Sequence, residues 1–205
     1  MILGITGGTG CGKTTLLSCI REQGGLVLDC DEIYHELLCT DRALLKKIYA
    51  RFPGTVSGNG LDRKKLGQVV FADGQALLDL NAITHSAVRQ GVLCRLGEKP
   101  KLAAIDAIAL FEGGLAPLCD VTVAVTAPVE SRVGRLMLRD GIPESYARSR
   151  IEAQHPQSWF ASRCDYVLEN AGTQADFRRK CLAFLKELGI MKGETIQDTK
   201  DGGKL

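Results

Sequence analysis

Apolar positions along the chain follow two spacings, one typical of buried strands and one typical of helices. Short apolar runs of the strand type stand at residues 1–6, 26–29, 102–106, 121–125 and 166–168. Between them, apolar residues recur at helical spacing over 13–21, 31–51, 62–71, 75–97, 129–139, 144–154 and 174–188. Strands that alternate with helices predict an α/β fold with a doubly wound, parallel, five-stranded sheet.

The stretch between the second and third strands is too long to be a simple crossover helix. We therefore expect it to form a helical insert that covers a second substrate, with a turn-rich loop at the glycine-rich segment 54–60. The final residues lack periodicity and predict a disordered tail. The expected division is a nucleotide-binding core at 1–30, 101–128 and 164–190, a helical insert at 31–100, a lid at 129–163 and a tail at 191–205.

Composition narrows the possible partners and the compartment. The net charge of +2 gives no bulk attraction to nucleic acid or to a membrane, so small-molecule partners are expected. No apolar run approaches the ~20 residues of a membrane-spanning helix, and the first residues lack the features of a signal peptide. The eight cysteines include no C-x-x-C pair, which favours free thiols in a reducing compartment. We expect a cytoplasmic protein that is a monomer or a weak homo-oligomer.

Residues 7–14 read G-G-T-G-C-G-K-T, a complete G-x-x-x-x-G-K-[ST] phosphate-binding loop between a predicted strand and a predicted helix. In such a loop, backbone N–H groups and a helix N-terminus surround a polyphosphate. Lys13 would reach the β- and γ-phosphates, and the Thr14 hydroxyl would bind Mg²⁺. The dinucleotide fingerprint is excluded because Lys13 stands where its third glycine is needed. The expected nucleoside-triphosphate-binding residues are Gly8, Thr9, Gly10, Cys11, Gly12, Lys13, Thr14 and Thr15.

Carboxylates follow two of the predicted strands at the rim of the sheet where the phosphate loop also emerges. Asp29 and Asp31 share strand parity, so one can face the site while the other caps the following helix. Asp31 is the candidate for the general base that a phosphotransferase needs. Asp106 ends an apolar strand, as a ligand of Mg²⁺-bound water would, although it could equally anchor the adjacent turn.

Three arginines, Arg132, Arg135 and Arg139, stand at i, i+3 and i+7 on one face of a predicted helix. Such a row is either a solvated or ion-paired face, or the face of a lid that brings guanidinium groups to phosphates. Next to a phosphate loop the lid is favoured, because neighbouring like charges repel each other and an anion bound between them relieves the repulsion. The chain has no Asn-Lys-x-Asp base reader, which argues against a signalling GTPase.

Further motifs follow the phosphate loop in a fixed order. They are Asp-Cys-Asp at 29–31, Leu-Asp-Arg-Lys-Lys-Leu at 61–66, Val70 and Phe71, Ile-Thr-His at 83–85, Asp106, Leu-Phe-Glu at 110–112, Arg135, Arg139, Ala-Gln at 153–154, Asp-Tyr-Val at 165–167 and Asn-Ala-Gly at 170–172. In order and spacing, this series resembles the dephospho-CoA kinase family over roughly residues 1 to 188. The phosphate loop alone is shared by many kinases, whereas the whole series is far more specific.

The resemblance implies a fold like that of nucleoside-monophosphate kinases, with a core, a CoA-binding insert and a lid. It implies transfer of the γ-phosphoryl group of ATP, with Mg²⁺, to the ribose 3′-hydroxyl of dephospho-CoA. By the same resemblance, Asp31 is the general base on that hydroxyl, and Lys13 and Arg139 stabilise the phosphoryl group. The other implied positions are Thr14 for Mg²⁺, His85, Leu110, Phe111 and Glu112 on the acceptor side, and Arg135, Asn170 and Gly172 beside the nucleotide.

The chain departs from the family pattern at a few positions. Ser86 and Ile108 stand where the family usually has proline, and Phe160 stands where a lysine is common. With Trp159 beside it, Phe160 reads as a packing pair rather than a platform for a base. Two alternatives stay open: a nucleoside or nucleoside-monophosphate kinase on the same scaffold, and a regulatory module that binds ATP without phosphorylating a metabolite.

Overall fold

The structure, a computed structural model, describes residues 1–57, 60–97 and 100–190. In chain order the strands are β1 (Ile2–Thr6), β2 (Leu26–Asp29), β3 (Val56–Ser57), β4 (Gly60–Leu61), β5 (Ala103–Asp106), β6 (Val121–Thr126) and β7 (Tyr166–Glu169). The helices are α1 (Lys13–Glu22), α2 (Cys30–Thr40), α3 (Arg42–Arg51), α4 (Arg63–Ala72), α5 (Gly74–Leu96), α6 (Val129–Asp140), α7 (Glu144–Glu152), α8 (Gln157–Ala161) and α9 (Gln174–Glu187). A short 3₁₀ helix covers Ala116–Leu118.

Five strands form one parallel sheet in the order β2-β5-β1-β6-β7, which confirms the predicted doubly wound α/β fold. The central strand β1 leads directly into the phosphate loop. In the register of the sheet, Asp106 pairs with Ile5 on one side and with Asp29 on the other. The ends of β2 and β5 therefore bring their carboxylates to the rim where the loop begins, as expected for parallel strands.

Each face of the sheet carries its own apolar core. On one face α1 and α9 pack together, and their buried side chains include Leu16, Leu17, Ile20, Phe177, Phe184 and Leu185. On the other face α2 and α5 cover the sheet, and the buried residues include Leu28, Ile33, Val88, Val92, Ile105 and Leu110. Sheet residues such as Leu3 and Ile5 are fully buried. The rim with its polar loops is thus held by a rigid, close-packed support.

The segment between β2 and β5 is helical, as its apolar spacing predicts, but it differs in two details. The expected helical stretch 31–51 is two helices, because Asp41 breaks the first and caps the second by accepting from the amides of Ala43 and Leu44. Within the expected loop 54–60, residues 56–57 form β3, which pairs antiparallel with β4 at residues 60–61. The helices share a separate apolar cluster, which includes Leu38, Leu44, Ile48, Phe52 and Leu66.

Helices α6 and α7 pack against each other through Val133, Leu136, Ala147 and Ile151. They are followed by α8, which the apolar spacing does not predict because it has only five residues. The predicted tail at 191–205 lies outside the residues that the structure describes. Within 1–57, 60–97 and 100–190, no helix has the length and apolar character needed to cross a membrane. All eight cysteines are free thiols.

Candidate functional site

The phosphate loop joins β1 to α1, and its glycines are needed for its shape. Gly7, Gly10 and Gly12 have φ values of 137°, 76° and 95°, which side-chain-bearing residues rarely adopt. A Cβ on Gly7 would lie 2.2 Å from the carbonyl oxygen of Val125. Gly12 is the N-cap of α1 and brings no side-chain cap, so the amides of Lys13 and Thr14 have no partner among the described residues and are free for an anion. The loop is therefore built to bind phosphate.

Lys13 lies in the half-buried floor of the loop. Its ammonium group donates to the carbonyl oxygen of Gly7 at 3.1 Å and lies 3.7 Å from Asp106 Oδ1. Burial raises the pKa of Asp106 to about 6 even though the Lys13 charge opposes the shift, and the charges of Asp29 and Asp31 add to it. Desolvation of the carboxylate thus outweighs its attraction to one ammonium group at this distance.

The same carboxylate is the part of the site that best fits a divalent cation. Asp106 Oδ1 is buried, and no hydrogen-bond donor reaches it among the residues described. The Thr14 side chain nearby on α1 is exposed, and Asp29 and Asp31 lie at the same rim. Carboxylate and hydroxyl oxygens are hard ligands of the kind that Mg²⁺ prefers. The donor set therefore suits Mg²⁺ bound together with a triphosphate.

Replacing Asp106 with Asn is expected to stabilise the protein in the absence of ligand. Because the pKa of Asp106 is raised to about 6 in the folded state, its ionisation between about pH 4 and pH 6 favours unfolding. Asn mimics the neutral form at every pH. The variant should thus gain on the order of 2–3 kcal/mol in its free energy of unfolding above pH 6 and little near pH 4. Urea unfolding at several pH values measures this difference, and a pH-independent difference would contradict the interpretation.

The structure separates the roles of Asp29 and Asp31. Asp29 is the N-cap of α2, and its Oδ1 atom accepts from the amides of Asp31 at 2.8 Å and Glu32 at 3.2 Å. Asp31 itself lies in the first turn of α2 with its side chain exposed. The alternative that Asp31 is the cap is therefore wrong, and its carboxylate is free for chemistry.

Two cavities meet at Asp31. The loop cleft, of about 700 Å³, is lined by residues 8–14, by Asp29, Asp31, Asp106 and Ile108, and by Arg135, Arg139, Arg150 and Gln154. The side cavity, of about 270 Å³, is mainly apolar and lies between α2, α5 and residues 107–109. Its lining includes Asp31, Tyr34, Thr84, His85 and Ile108. Asp31 and Ile108 belong to both linings, so a group bound in the side cavity would meet the loop cleft at this carboxylate.

The three arginines of α6 do not act as one row. Arg132 is 2% exposed, and its Nε atom donates to the carbonyl oxygen of Thr9 at 2.8 Å. Arg135 donates to the carbonyl oxygens of Gly10 and Asn170 at 3.1 and 3.3 Å. The predicted lid face is therefore wrong for Arg132: its guanidinium group is buried and satisfies a carbonyl oxygen of the phosphate loop.

Arg139 differs from the other two arginines because its side chain is 61% exposed. It donates to Asp140 through two hydrogen bonds of 2.7 and 3.0 Å while lining the loop cleft. Arg150 of α7 binds the same carboxylate at 2.7 Å and also lines the cleft. The sequence reasoning missed Arg150, since an isolated arginine on a polar helix carries no signal of its own.

Asn170 and Gly172 follow the last strand of the sheet. The Asn170 side chain is buried and donates to the carbonyl oxygen of Cys11 at 2.9 Å, and a Cβ on Gly12 would lie 2.3 Å from its Nδ2 atom. Asn170 thus holds the phosphate loop from the side. Gly172 is exposed in the turn before α9. Thr15 is the third residue of α1, and its amide donates to the Gly12 carbonyl oxygen at 3.1 Å.

The predicted acceptor-side residues are divided by the structure. His85 lines the side cavity with Asp31. Leu110 does not line this cavity but is fully buried in the apolar cluster that also contains the cavity-lining Val88 and Leu115. The Phe111 ring packs edge-on against Trp159, with 5.9 Å between the ring centroids. Glu112 Oε1 lies 3.1 Å from His155 Nε2, a pairing that sequence spacing alone could not reveal.

The departures from the family pattern fall in three different environments. Ser86 is exposed and lines an outer groove between α3 and α5, away from the side cavity. Ile108 stands at the junction of the two cavities. Phe160 is 1% exposed and packs edge-on against Trp159, which confirms the predicted packing pair.

Known proteins and a protein-family model match this chain over most of its length. Residues 1–176 match the family model for dephospho-CoA kinase. A dephospho-CoA kinase from Geobacillus kaustophilus is 37% identical over 193 residues, which cover 91% of this chain and 96% of that protein. A crystal structure of a Thermus thermophilus protein matches with a TM-score of 0.77 and 34% identity, covering 92% of this chain and 97% of the other. A solved dephospho-CoA kinase from Campylobacter jejuni matches with a TM-score of 0.66 and 25% identity, covering 93% and 98%.

Proposed function

The chain belongs to the dephospho-CoA kinase family, and from this premise we propose that it transfers the γ-phosphoryl group of ATP to the ribose 3′-hydroxyl of dephospho-CoA. The products would be CoA and ADP. The observation that carries the proposal is the position of Asp31 in the linings of both the loop cleft and the side cavity. A carboxylate between a phosphate loop and a second cavity is what transfer to an alcohol requires.

On the donor side, the loop amides and the N-terminus of α1 would bind the triphosphate. Lys13 would contact the β- and γ-phosphates, and Arg139 would exchange Asp140 for the transferring group as the cleft fills. Thr14 and Asp106 would hold Mg²⁺, which would supply positive charge to offset the negative charge of the phosphates. Because phosphoryl transfer needs little covalent chemistry from the protein, positioning and charge would account for most of the catalysis.

On the acceptor side, part of dephospho-CoA would enter the side cavity, with the ribose 3′-hydroxyl toward Asp31. The 3′-oxygen would attack the γ-phosphorus while the bond from that phosphorus to the β,γ-bridging oxygen breaks. The hydroxyl proton would pass to the Asp31 carboxylate, and ADP would leave. The largely apolar lining around Tyr34 and His85 would keep water, the competing acceptor, away from the γ-phosphate.

Two alternatives are weaker. A regulatory module that only binds ATP has no need for a second cavity that ends at a free carboxylate. A nucleoside or nucleoside-monophosphate kinase would share the fold, but the family match over residues 1–176 does not favour it. A cytoplasmic location and a monomeric or weakly associated state stay predictions.

A mass-spectrometric assay tests the function directly. Purified protein is incubated with Mg²⁺ and ATP, together with dephospho-CoA, adenosine or AMP in separate reactions. We expect a product heavier by one phosphoryl group only with dephospho-CoA. Phosphorylation of adenosine or AMP instead would identify a nucleoside or nucleoside-monophosphate kinase. ATP hydrolysis at a rate that none of the three acceptors changes would favour the regulatory module.

A further inference from the structure

The short connection between α7 and α8, residues 153–156, touches the loops that follow two strands of the sheet. Gln154 Oε1 accepts from the amide of Thr9, in the phosphate loop after β1, at 2.8 Å. The next residue, His155, places its Nε2 atom 3.1 Å from Glu112 Oε1, in the segment after β5. Two consecutive side chains therefore contact the two sides of the active site separately.

On the donor side, Gln154 works with the buried Arg132. Gln154 Oε1 accepts from Arg132 Nη2 at 3.3 Å, and Arg132 Nε donates to the Thr9 carbonyl oxygen at 2.8 Å. Both backbone polar groups of Thr9 are thus held by side chains from α6 and from the connection after α7. A Cβ on Gly8 would lie 2.4 Å from Arg132 Nη2 and 3.0 Å from Gln154 Oε1. The absence of a side chain at Gly8 therefore allows these two side chains to approach the loop.

On the acceptor side, aromatic contacts fix the His155 ring. It stacks on Trp159 with 4.0 Å between the ring centroids and 6° between the planes, and the Arg163 guanidinium group also lies over the Trp159 ring at 4.1 Å. The Phe111 ring meets the same indole edge-on. The segment that bears Phe111 and Glu112 is thereby attached to residues 153–163 at two points, and it continues into Gly113 and Leu115, which line the side cavity.

We propose that Gln154 and His155 are positioning residues with separate duties, Gln154 for the phosphate loop that binds ATP and His155 for the segment that shapes the acceptor cavity. The inference rests on the proposed function. It adds that two adjacent residues in the connection after α7 align the donor and the acceptor substrate. Removing the contact of one residue should disturb the binding of one substrate and leave the binding of the other largely intact.

The test is a crossed pair of variants. Gln154→Met keeps the length of the side chain and removes the acceptor oxygen, while His155→Phe keeps the stacked ring and removes the donor. We expect Gln154→Met to raise the KM for ATP about fivefold to tenfold, as for one lost hydrogen-bond contact, with the KM for dephospho-CoA within about twofold. His155→Phe should show the reverse pattern. Glu152→Gln at the exposed end of α7 serves as the control and should leave both KM values unchanged.

Kd values for ATP and dephospho-CoA from calorimetry, with Tm by thermal melting, accompany the kinetics. Equal rises in both KM values, or a change in Tm with both KM values unchanged, would mean a purely structural role and overturn the inference. If Gln154→Met does not fold, Gln154→Asn removes the same contact by shortening the side chain. If the wild-type protein does not phosphorylate dephospho-CoA, the proposed function fails. The Kd values alone then test the inference. If Gln154→Met does not lose affinity selectively for ATP, the inference is overturned.

Discussion

Asp31→Asn is expected to lower kcat by ~10²-fold or more while the KM for ATP stays within about twofold. The carboxylate lies in the linings of both cavities and takes no part in capping α2, because Asp29 does that. Asn keeps the shape of the side chain but does not accept a proton from the acceptor hydroxyl. Steady-state kinetics with both substrates varied, and single-turnover rates at saturating ATP, measure the effect.

The matched control is Asp29→Asn. It removes a negative charge two residues away, and because Asn caps helices as well as Asp does, α2 should keep its start. We expect its kcat to fall less than tenfold. Turnover close to that of the wild type in Asp31→Asn would place the base elsewhere, and an equal loss in both variants would mean that the local charge matters more than the proton acceptor.

Lys13→Ala is expected to lower transfer by more than ~10³-fold, beyond detection in most assays. The ammonium group is held within the loop by its hydrogen bond to the Gly7 carbonyl oxygen and would neutralise charge on the transferring group. Its loss has a second consequence, since the Lys13 charge holds down the pKa of Asp106. Without it the carboxyl takes up a proton more readily, and Mg²⁺ binding at neutral pH should weaken as well.

An exposed lysine outside the site provides the control. Lys47→Ala changes the net charge by the same amount on α3, at the outer groove, and should leave kcat and both KM values unchanged. Measurement of ADP–Mg²⁺ affinity by calorimetry separates lost binding from lost chemistry. Substantial transfer by Lys13→Ala would contradict the assignment of the loop as the triphosphate site.

The parts of the site with local signals could be predicted from the sequence. A strand, a glycine-rich loop and a helix follow each other within 22 residues, and each supports the interpretation of the next. The position of Asp106 beside Asp29 follows from the parallel strands, because their carboxyl ends share one rim. Which of Asp29 and Asp31 caps α2 could not be decided, since strand parity and capping preference treat the two alike.

Contacts between distant parts of the chain carry no such signal. Arg132 and Thr9 are 123 positions apart, and helical spacing places Arg132 on the same face as Arg139 although only Arg139 is exposed. Glu112 and His155 likewise contact each other although they are far apart in the sequence. Strands of two residues, such as β3 and β4, are too short for any alternation to show.

The burial of the cysteines determines which thiols a fluorescent dye can label. Cys11 is 1% exposed within the phosphate loop, and burial raises the pKa of its thiol. Cys30, in the wall of the side cavity, is buried with a pKa raised to about 12. Cys39 on α2 and Cys94 on α5 are exposed. A maleimide dye would thus attach to the insert helices first and label this part of the natural sequence, while the two cavity-lining thiols stay unmodified.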